Sequence, residues 1–188
     1  TELYYPEIVL GSSDKIAQKK LQESQTYMNM ISGNYISYME LGEGYFSTKN
    51  YTEAKNAFLS AVKLAKDSME FYNAYYNLAV NAYEAEDYQS AIEYATVANT
   101  YIDDKRANEV IGFSYIKLKK TDEAQKQFEE LVKENPDNIL FSYTLTDIYF
   151  SKFNLFKALG EMKRIKKINP GALSDDIYKN YRIFGIIL

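Results

Sequence analysis

The stretch LGEGYFSTKNYTEAKNAFLSA, residues 41–61, holds the spacing that decides the fold. The small residue Ala54 lies four positions before Phe58 and thirteen positions after Leu41, which Gly42 follows. The same spacing recurs three more times, at intervals of 33 to 37 residues. The recurring alanines are Ala54, Ala91, Ala124 and Ala158, and the residues four positions later are Phe58, Ala95, Phe128 and Met162. Self-similarity at such a period predicts a repeat array in which each repeat buries its apolar face against its neighbours.

Each repeat is predicted to be two helices joined by a short polar turn, because apolar and small residues recur at three-to-four spacing on both sides of the turn. The predicted helices cover residues 35–49, 51–66, 72–85, 88–101, 105–119, 121–134, 139–152 and 155–168. Asn50, Asp87 and Thr121 stand where the second helices begin and are predicted to cap them. Pro136 and Pro170 follow second helices, where proline cannot continue a helix. The pattern therefore predicts an all-α fold.

These positions give residues 35–172 a resemblance to tetratricopeptide repeats. The first repeat supplies Tyr38, Leu41, Gly42, Tyr45, Ala54, Phe58 and Ala61 at the family's positions, and the third supplies Ile111, Gly112, Tyr115, Ala124, Phe128, Leu131 and Pro136. The second and fourth repeats depart from the pattern, with Ala95 and Met162 where the family has Phe. The resemblance implies a right-handed α-α superhelix of four helical hairpins, and the residues on either side of the repeats predict extra N-terminal and C-terminal helices.

The predicted organisation has three parts. Four tandem repeats occupy residues 35–68, 72–104, 105–138 and 139–172. Residues 1–34 are interpreted as an N-terminal segment with the second helix of a degenerate repeat, since Ala17 and Leu21 copy the alanine-plus-four spacing. Residues 173–188 are interpreted as a C-terminal capping helix.

Composition excludes several kinds of chemistry. The chain has no Cys and no His, which removes thiol nucleophiles, disulfides, the usual zinc sites and imidazole acid–base catalysis. A net charge of −4 argues against nucleic-acid binding, and no apolar run is long enough to form a transmembrane segment. We therefore expect a protein that is not an enzyme, with no metal and no cofactor. The start at Thr1 rather than Met predicts a processed or partial chain, and both a bacterial periplasmic or envelope location and a cytoplasmic one stay open.

The resemblance implies that the first helices line a concave groove that binds a peptide or helix of a partner. Residues predicted to contact the partner are Asn73, Tyr76, Asn77, Tyr83, Arg106, Phe113, Ile116, Tyr143, Asp147 and Phe150. The alternative for each aromatic residue is packing between adjacent repeats. Asn77 and Arg106 also match two of the five residues with which one subfamily grips a C-terminal carboxylate, but Met39, Glu43 and Val110 replace the other three.

Three further features each have two interpretations. The basic residues Lys152, Lys157, Lys163, Arg164, Lys166 and Lys167 could meet an acidic protein or an anionic lipid surface, or form a solvated outer face. The pair Asp103–Asp104 precedes a helix, so capping explains it without acid–base chemistry. The apolar end residues Phe184, Ile187 and Leu188 could form an oligomer contact or pack within the chain.

The predicted function is a non-catalytic adaptor or scaffold that binds a protein or peptide partner. The alternative is a structural subunit of a homo-oligomer, such as a homodimer, or of a membrane-associated envelope complex. Such a subunit would use its apolar C-terminal helix or its convex face.

Overall fold

The computed structural model describes residues 33–172, together with residues 18–19, 21–23 and 26. Every regular element among these residues is a helix. The helices within residues 33–172 are α1 Tyr35–Ser47, α2 Tyr51–Val62, α3 Ser68–Glu84, α4 Tyr88–Tyr101, α5 Lys105–Lys117, α6 Thr121–Glu134, α7 Ile139–Ser151 and α8 Leu155–Ile168. The all-α prediction is therefore confirmed.

The chain divides into two compact units, Thr1–Ala107 (unit 1) and Asn108–Leu188 (unit 2). In unit 1, α1 packs against α2, α2 against α3, and α3 against α4. In unit 2, α6 packs against α7, and α7 against α8. Each unit thus shows consecutive helices packed side by side, as expected where helix hairpins repeat.

Asparagine and aspartate side chains begin several of the helices. Asp67 accepts a hydrogen bond from the backbone N–H of Glu70, and Asp87 accepts one from Ser90. The predicted cap at Asp87 is confirmed. Helix α3 begins at Ser68 rather than at residue 72, because Asp67 already satisfies an N–H group of the first turn.

Two predicted caps and five predicted helix ends are wrong. Asn50 stands at the N-cap position of α2 but its side chain accepts no capping hydrogen bond; its amide Nδ2 donates to the hydroxyl of Thr48. Thr121 is the first residue of α6, and Lys120, which precedes it, makes no side-chain cap. Helix α2 ends at Val62 rather than at residue 66, and α1, α3, α5 and α7 end one or two residues before the predicted residues 49, 85, 119 and 152.

All four hairpins turn with one backbone conformation. Lys49, Glu86, Lys119 and Phe153 have φ values of 60°, 62°, 58° and 56°, in the left-handed region. The N–H of each donates to the carbonyl three residues earlier, and the N–H of the following residue donates to the carbonyl five residues before it. These two bonds satisfy carbonyl groups that the end of the first helix leaves free. The hairpin turn is thus closed by main-chain bonds.

The sequence spacing is explained by contacts between small and large residues. A Cβ atom added to Gly42 would lie 2.3 Å from Cε1 of Phe58, and one added to Gly112 would lie 2.9 Å from Cε2 of Phe128. Phe58 belongs to a core cluster of unit 1, and Phe128 to one of unit 2. In the other two repeats the corresponding pairs are Ala79 with Ala95 and Thr146 with Met162. A phenylalanine in the second helix therefore requires glycine in the first.

Residue 21 is also part of the packed structure. Leu21 is helical and buried, and its Cα atom would lie 3.2 Å from a Cβ atom on Gly44. Helix α1 therefore packs closely against Leu21.

Candidate functional site

Helix α3 carries four of the predicted partner-binding residues in unit 1. Asn73, Tyr76, Asn77 and Tyr83 are all half-buried. Val80, which the same helix positions would place among them, is buried, as is Met39 on α1. The available part of this face is therefore formed by two amides and two phenol rings, with aliphatic side chains in the core beneath.

The amides of Asn73 and Asn77 are one helical turn apart, so both lie on the same side of α3. Neither side chain hydrogen-bonds to any residue in the described part of the chain. Each amide offers two N–H donors and a carbonyl acceptor. Both amides are half-buried and make no hydrogen bond with a described residue, so the pair can bond to a ligand that supplies complementary groups.

Arg106, at the start of α5, lies over two tyrosine rings of α3. Its guanidinium carbon is 5.5 Å from the ring centroid of Tyr72 and 5.2 Å from that of Tyr76. The two rings are stacked at 5.9 Å between centroids. Burial raises the pKa of the Tyr72 phenol, which therefore stays neutral near pH 7. The cation is thus held against neutral aromatic faces.

Asp104 fixes Arg106 in that position. Its carboxylate accepts bonds from the guanidinium Nη2 of Arg106 at 2.9 Å and from the backbone N–H of the same residue at 2.8 Å. The hydrogen bond from the Arg106 side chain holds the pKa of Asp104 below its usual range. Asp104, which the sequence predicts to have a capping role, therefore neutralises Arg106, which the sequence predicts to contact the partner. Arg106 supports the Tyr72–Tyr76 pair in this geometry.

Tyr83 makes a contact at the other end of α3. Its ring meets that of Tyr88, on α4, edge to face with 5.4 Å between the centroids. Aromatic pairs favour this arrangement.

In unit 2 the predicted residues combine exposure with packing. Phe113, Ile116 and Phe150 are half-buried and pack against a core cluster, and Phe113 meets Phe128 edge to face at 5.1 Å. The Tyr143 hydroxyl donates to the carbonyl of Ala172 at 2.5 Å. Part of each of these side chains therefore stabilises unit 2.

Asp147 is the one acidic residue in this group. It is half-buried on α7, with Tyr143 one turn before it and Phe150 one turn after it. Burial raises the pKa of its carboxyl group to about 6. Its carboxylate has no hydrogen bond or ion pair with a described residue. It therefore provides a hydrogen-bond acceptor that the described structure does not use.

Sequence reasoning missed two exposed aromatic residues. Phe153 lies in the turn between α7 and α8, and Phe156 lies in the first turn of α8. The polar residues at the corresponding positions of the other repeats were the signal that could have revealed them.

The predicted oligomer contact lies near the C-terminal end of the chain. The apolar residues Phe184, Ile187 and Leu188 lie outside the described residues. Within the described ranges, no cluster of three acidic side chains is placed to hold a metal ion. None of the helices in those ranges is long and apolar enough to cross a bilayer.

Comparison with known proteins defines the class of protein. Sequence models of the tetratricopeptide repeat match residues 35–68 and 111–138. No curated protein matches the chain significantly.

Solved structures share the fold at low sequence identity. YrrB, a tetratricopeptide repeat protein with an unusual peptide-binding site, gives a TM-score of 0.65 at 22% identity, over 84% of this chain and 80% of that one. MamA from Desulfovibrio magneticus RS-1 gives 0.69 at 14%, over 88% and 100% of the two chains. A tetratricopeptide repeat protein from Parabacteroides merdae gives 0.64 at 15%, over 81% and 59%.

Residues 35–68 and 111–138 therefore match tetratricopeptide repeats, as the residue spacing predicted, and the described helices share the fold of these solved structures. This fold supports a role as a protein–protein interaction module.

Proposed function

We propose that this chain is a non-catalytic adaptor or scaffold that captures an extended segment or helix of a partner protein on α3 of unit 1. The observation that carries the proposal is the pair of half-buried amides, Asn73 and Asn77, without hydrogen-bond partners in the described structure. They lie on the same helix as Tyr76 and Tyr83. The partner would therefore meet polar and aromatic groups together.

The chemistry of this face suits a polypeptide. A side-chain amide can donate to a backbone carbonyl and accept from a backbone N–H at the same time. Tyrosine is enriched among residues that anchor protein interfaces, because its ring gives a large contact area with few rotatable bonds. YrrB, a fold relative, has a peptide-binding site. Tetratricopeptide repeat proteins are in general non-catalytic, which is consistent with an adaptor.

The predicted residues of unit 2 remain proposed contacts with a partner. Phe113, Ile116, Tyr143 and Phe150 would offer apolar area where they are not packed inward. Asp147 would accept a hydrogen bond from a donor on the partner.

The Asn73→Ala/Asn77→Ala double variant tests the proposal, because it removes no hydrogen bond of the described structure. Peptides would be selected on the unaltered chain from a random displayed library, and their dissociation constants measured by calorimetry. We expect binding to weaken about tenfold or more, since each lost hydrogen bond contributes about 1 kcal/mol.

Asn56→Ala is the matched control, since Asn56 is an exposed residue on the second helix α2. This variant should bind as the unaltered chain does, and circular dichroism should show the same helix content for all three proteins. Equal affinity in the double variant, or failure to select any peptide, would refute capture by α3.

A further inference from the structure

Two phenylalanine side chains stand almost fully in solvent at one hairpin turn of unit 2. Phe153 is 86% exposed and Phe156 is 92% exposed. We call these two residues the turn aromatics. Phenylalanine is usually buried, so two exposed rings three positions apart form an apolar tip that the packing of the repeat does not use.

The other repeats show that the fold does not need aromatic residues here. The positions equivalent to Phe153 hold Lys49, Glu86 and Lys119, and those equivalent to Phe156 hold Thr52, Gln89 and Asp122. All of these residues are polar, while the turn has the same backbone in each repeat. The phenylalanines therefore serve something other than the turn.

The turn also does not favour a phenylalanine at position 153. Its φ of 56° lies in the left-handed region, which a bulky side chain seldom adopts because Cβ crowds the backbone. Glycine, asparagine or aspartate would satisfy the turn with less strain. Lys49, Glu86 and Lys119 have nearly the same φ, so the exposed aromatic ring, rather than the backbone, distinguishes Phe153 from its counterparts.

The turn aromatics continue into a basic stripe along α8. Phe156, Gly160, Lys163 and Lys167 follow one another at steps of four, three and four residues, so they share one face of the helix. All four are exposed, and a Cβ atom on Gly160 would meet nothing within 4 Å. Residues 152–172 contain six Lys and Arg against one Glu. The stripe thus joins an apolar end to a cationic one.

Ion pairs occupy the basic residues nearest the turn. Lys152 contacts Asp122 at 2.5 Å, and Lys157 contacts Glu129 at 3.0 Å. Neither Lys163 nor Lys167 has an ion pair with a described residue. The cationic end of the stripe is therefore the part that can meet an external anion.

We propose that this tip attaches the protein to the surface of a lipid bilayer that contains anionic lipids. The two rings would enter the boundary between headgroups and acyl chains, and Lys163 and Lys167 would contact the headgroup phosphates. Surface-bound helices combine apolar insertion with basic residues in this way. A bilayer suits this tip better than a protein pocket does, because the rings project outward and a fluid interface can close around them.

Vesicle binding tests the proposal on the whole chain. The Phe153→Lys/Phe156→Gln variant places at the tip the residues that Lys119 and Gln89 show to be compatible with this turn. We expect the unaltered chain to sediment with phosphatidylglycerol-containing vesicles, and the variant to bind them at least tenfold more weakly. The variant carries one more positive charge, so attraction by charge alone would strengthen its binding instead.

Two further variants separate the contribution of the lysines to vesicle binding from that of the phenylalanine rings. Lys163→Glu/Lys167→Glu should weaken binding to anionic vesicles and reduce its dependence on salt. Met69→Gln is the matched control, since Met69 is an exposed apolar residue of unit 1, and it should bind as the unaltered chain does.

A fluorescent reporter can locate the tip, because the chain has no Trp. Phe156→Trp would give a single indole at the proposed point of insertion. Its emission should shift to shorter wavelength with anionic vesicles, and lipids brominated on their acyl chains should quench it. An unshifted, unquenched indole would exclude insertion.

Other results would overturn the proposal outright. They are absence of binding by the unaltered chain, equal binding by the Phe153→Lys/Phe156→Gln variant, and a dimer that this variant dissociates in sedimentation. The last result would assign the turn aromatics to a second copy of the chain. Peptide capture by α3 is measured without lipid, so the two proposals can fail separately.

Discussion

The contact between glycine and phenylalanine sets the distance between the two helices of a hairpin. Gly42 faces Phe58 so closely that a single added methyl group would overlap the ring. The Phe58 ring cannot move aside to make room for this methyl group, because the ring is itself buried in the core of unit 1.

We therefore expect Gly42→Ala to destabilise the protein by about 1–3 kcal/mol, the usual cost of overpacking, even though alanine favours a helix. Gly160→Ala is the matched control, because its added Cβ meets no neighbouring atom. That change should stabilise the helix by up to about 1 kcal/mol. Urea denaturation followed by circular dichroism measures both, and equal signs would contradict the packing interpretation.

The raised pKa of Asp147 makes stability depend on pH. Burial raises the pKa of its carboxyl group to about 6 in the folded chain, above the ordinary value of 3.8 for an aspartate. The folded state therefore holds the proton more tightly than the unfolded state does. Stability should fall as pH rises from about 4 to 6 and should stay reduced above that range.

Asp147→Asn removes this penalty. We expect the free energy of unfolding to rise by about 2 kcal/mol near pH 7.5 and to change little near pH 4. Denaturation at the two pH values provides the measurement. A loss of stability at neutral pH would show instead that the ionised carboxylate stabilises the fold.

At the scale of the element, the hairpin turn has one backbone geometry and four different side-chain environments. Lys119 occupies the left-handed position with φ of 58°, where glycine has no steric penalty. We expect Lys119→Gly to stabilise the chain by about 1 kcal/mol.

A lysine-to-glycine substitution within a helix should instead lower the stability of the chain. Lys126 is exposed in the interior of α6, so Lys126→Gly should cost about 1 kcal/mol. Thermal and urea unfolding of the two variants, side by side, separates a turn effect from a general effect of glycine. Two destabilised variants would mean that the turn does not impose the left-handed conformation.

At the scale of the whole molecule, the sequence predicts the structural features that recur in each repeat. Alanine and glycine recur opposite phenylalanine because each hairpin solves the same packing problem, so the helices could be located from spacing alone. Repeat spacing alone places the beginning of α3 too late, because Asp67, which accepts a hydrogen bond from the backbone N–H of Glu70, sets the boundary.

Features that depend on three-dimensional surroundings were not predictable in this way. The spacing that places Asp147 on a first helix says nothing about how far its carboxylate is desolvated. Phe58 and Phe156 are the same residue type, and only packing shows that one is core and the other is solvent-exposed. The exposed pair differs from the other repeats, so a comparison of repeats can find it only after their turns have been aligned.

The net charge of −4 also conceals a difference between the units. Residues 1–107 contain nine Lys and Arg against 15 Asp and Glu, whereas residues 108–188 contain 13 against 11. An anionic surface would therefore attract unit 2 and repel unit 1. This difference agrees with a lipid contact through α8.

Main-chain hydrogen bonds close all four hairpin turns, so the fold does not depend on which side chain stands at the left-handed residue. Lys, Glu and Phe already occupy that position within one chain. A single codon change there can give a descendant protein a new point of attachment while its scaffold stays the same. Proteins built in this way can diversify their associations faster than their shape.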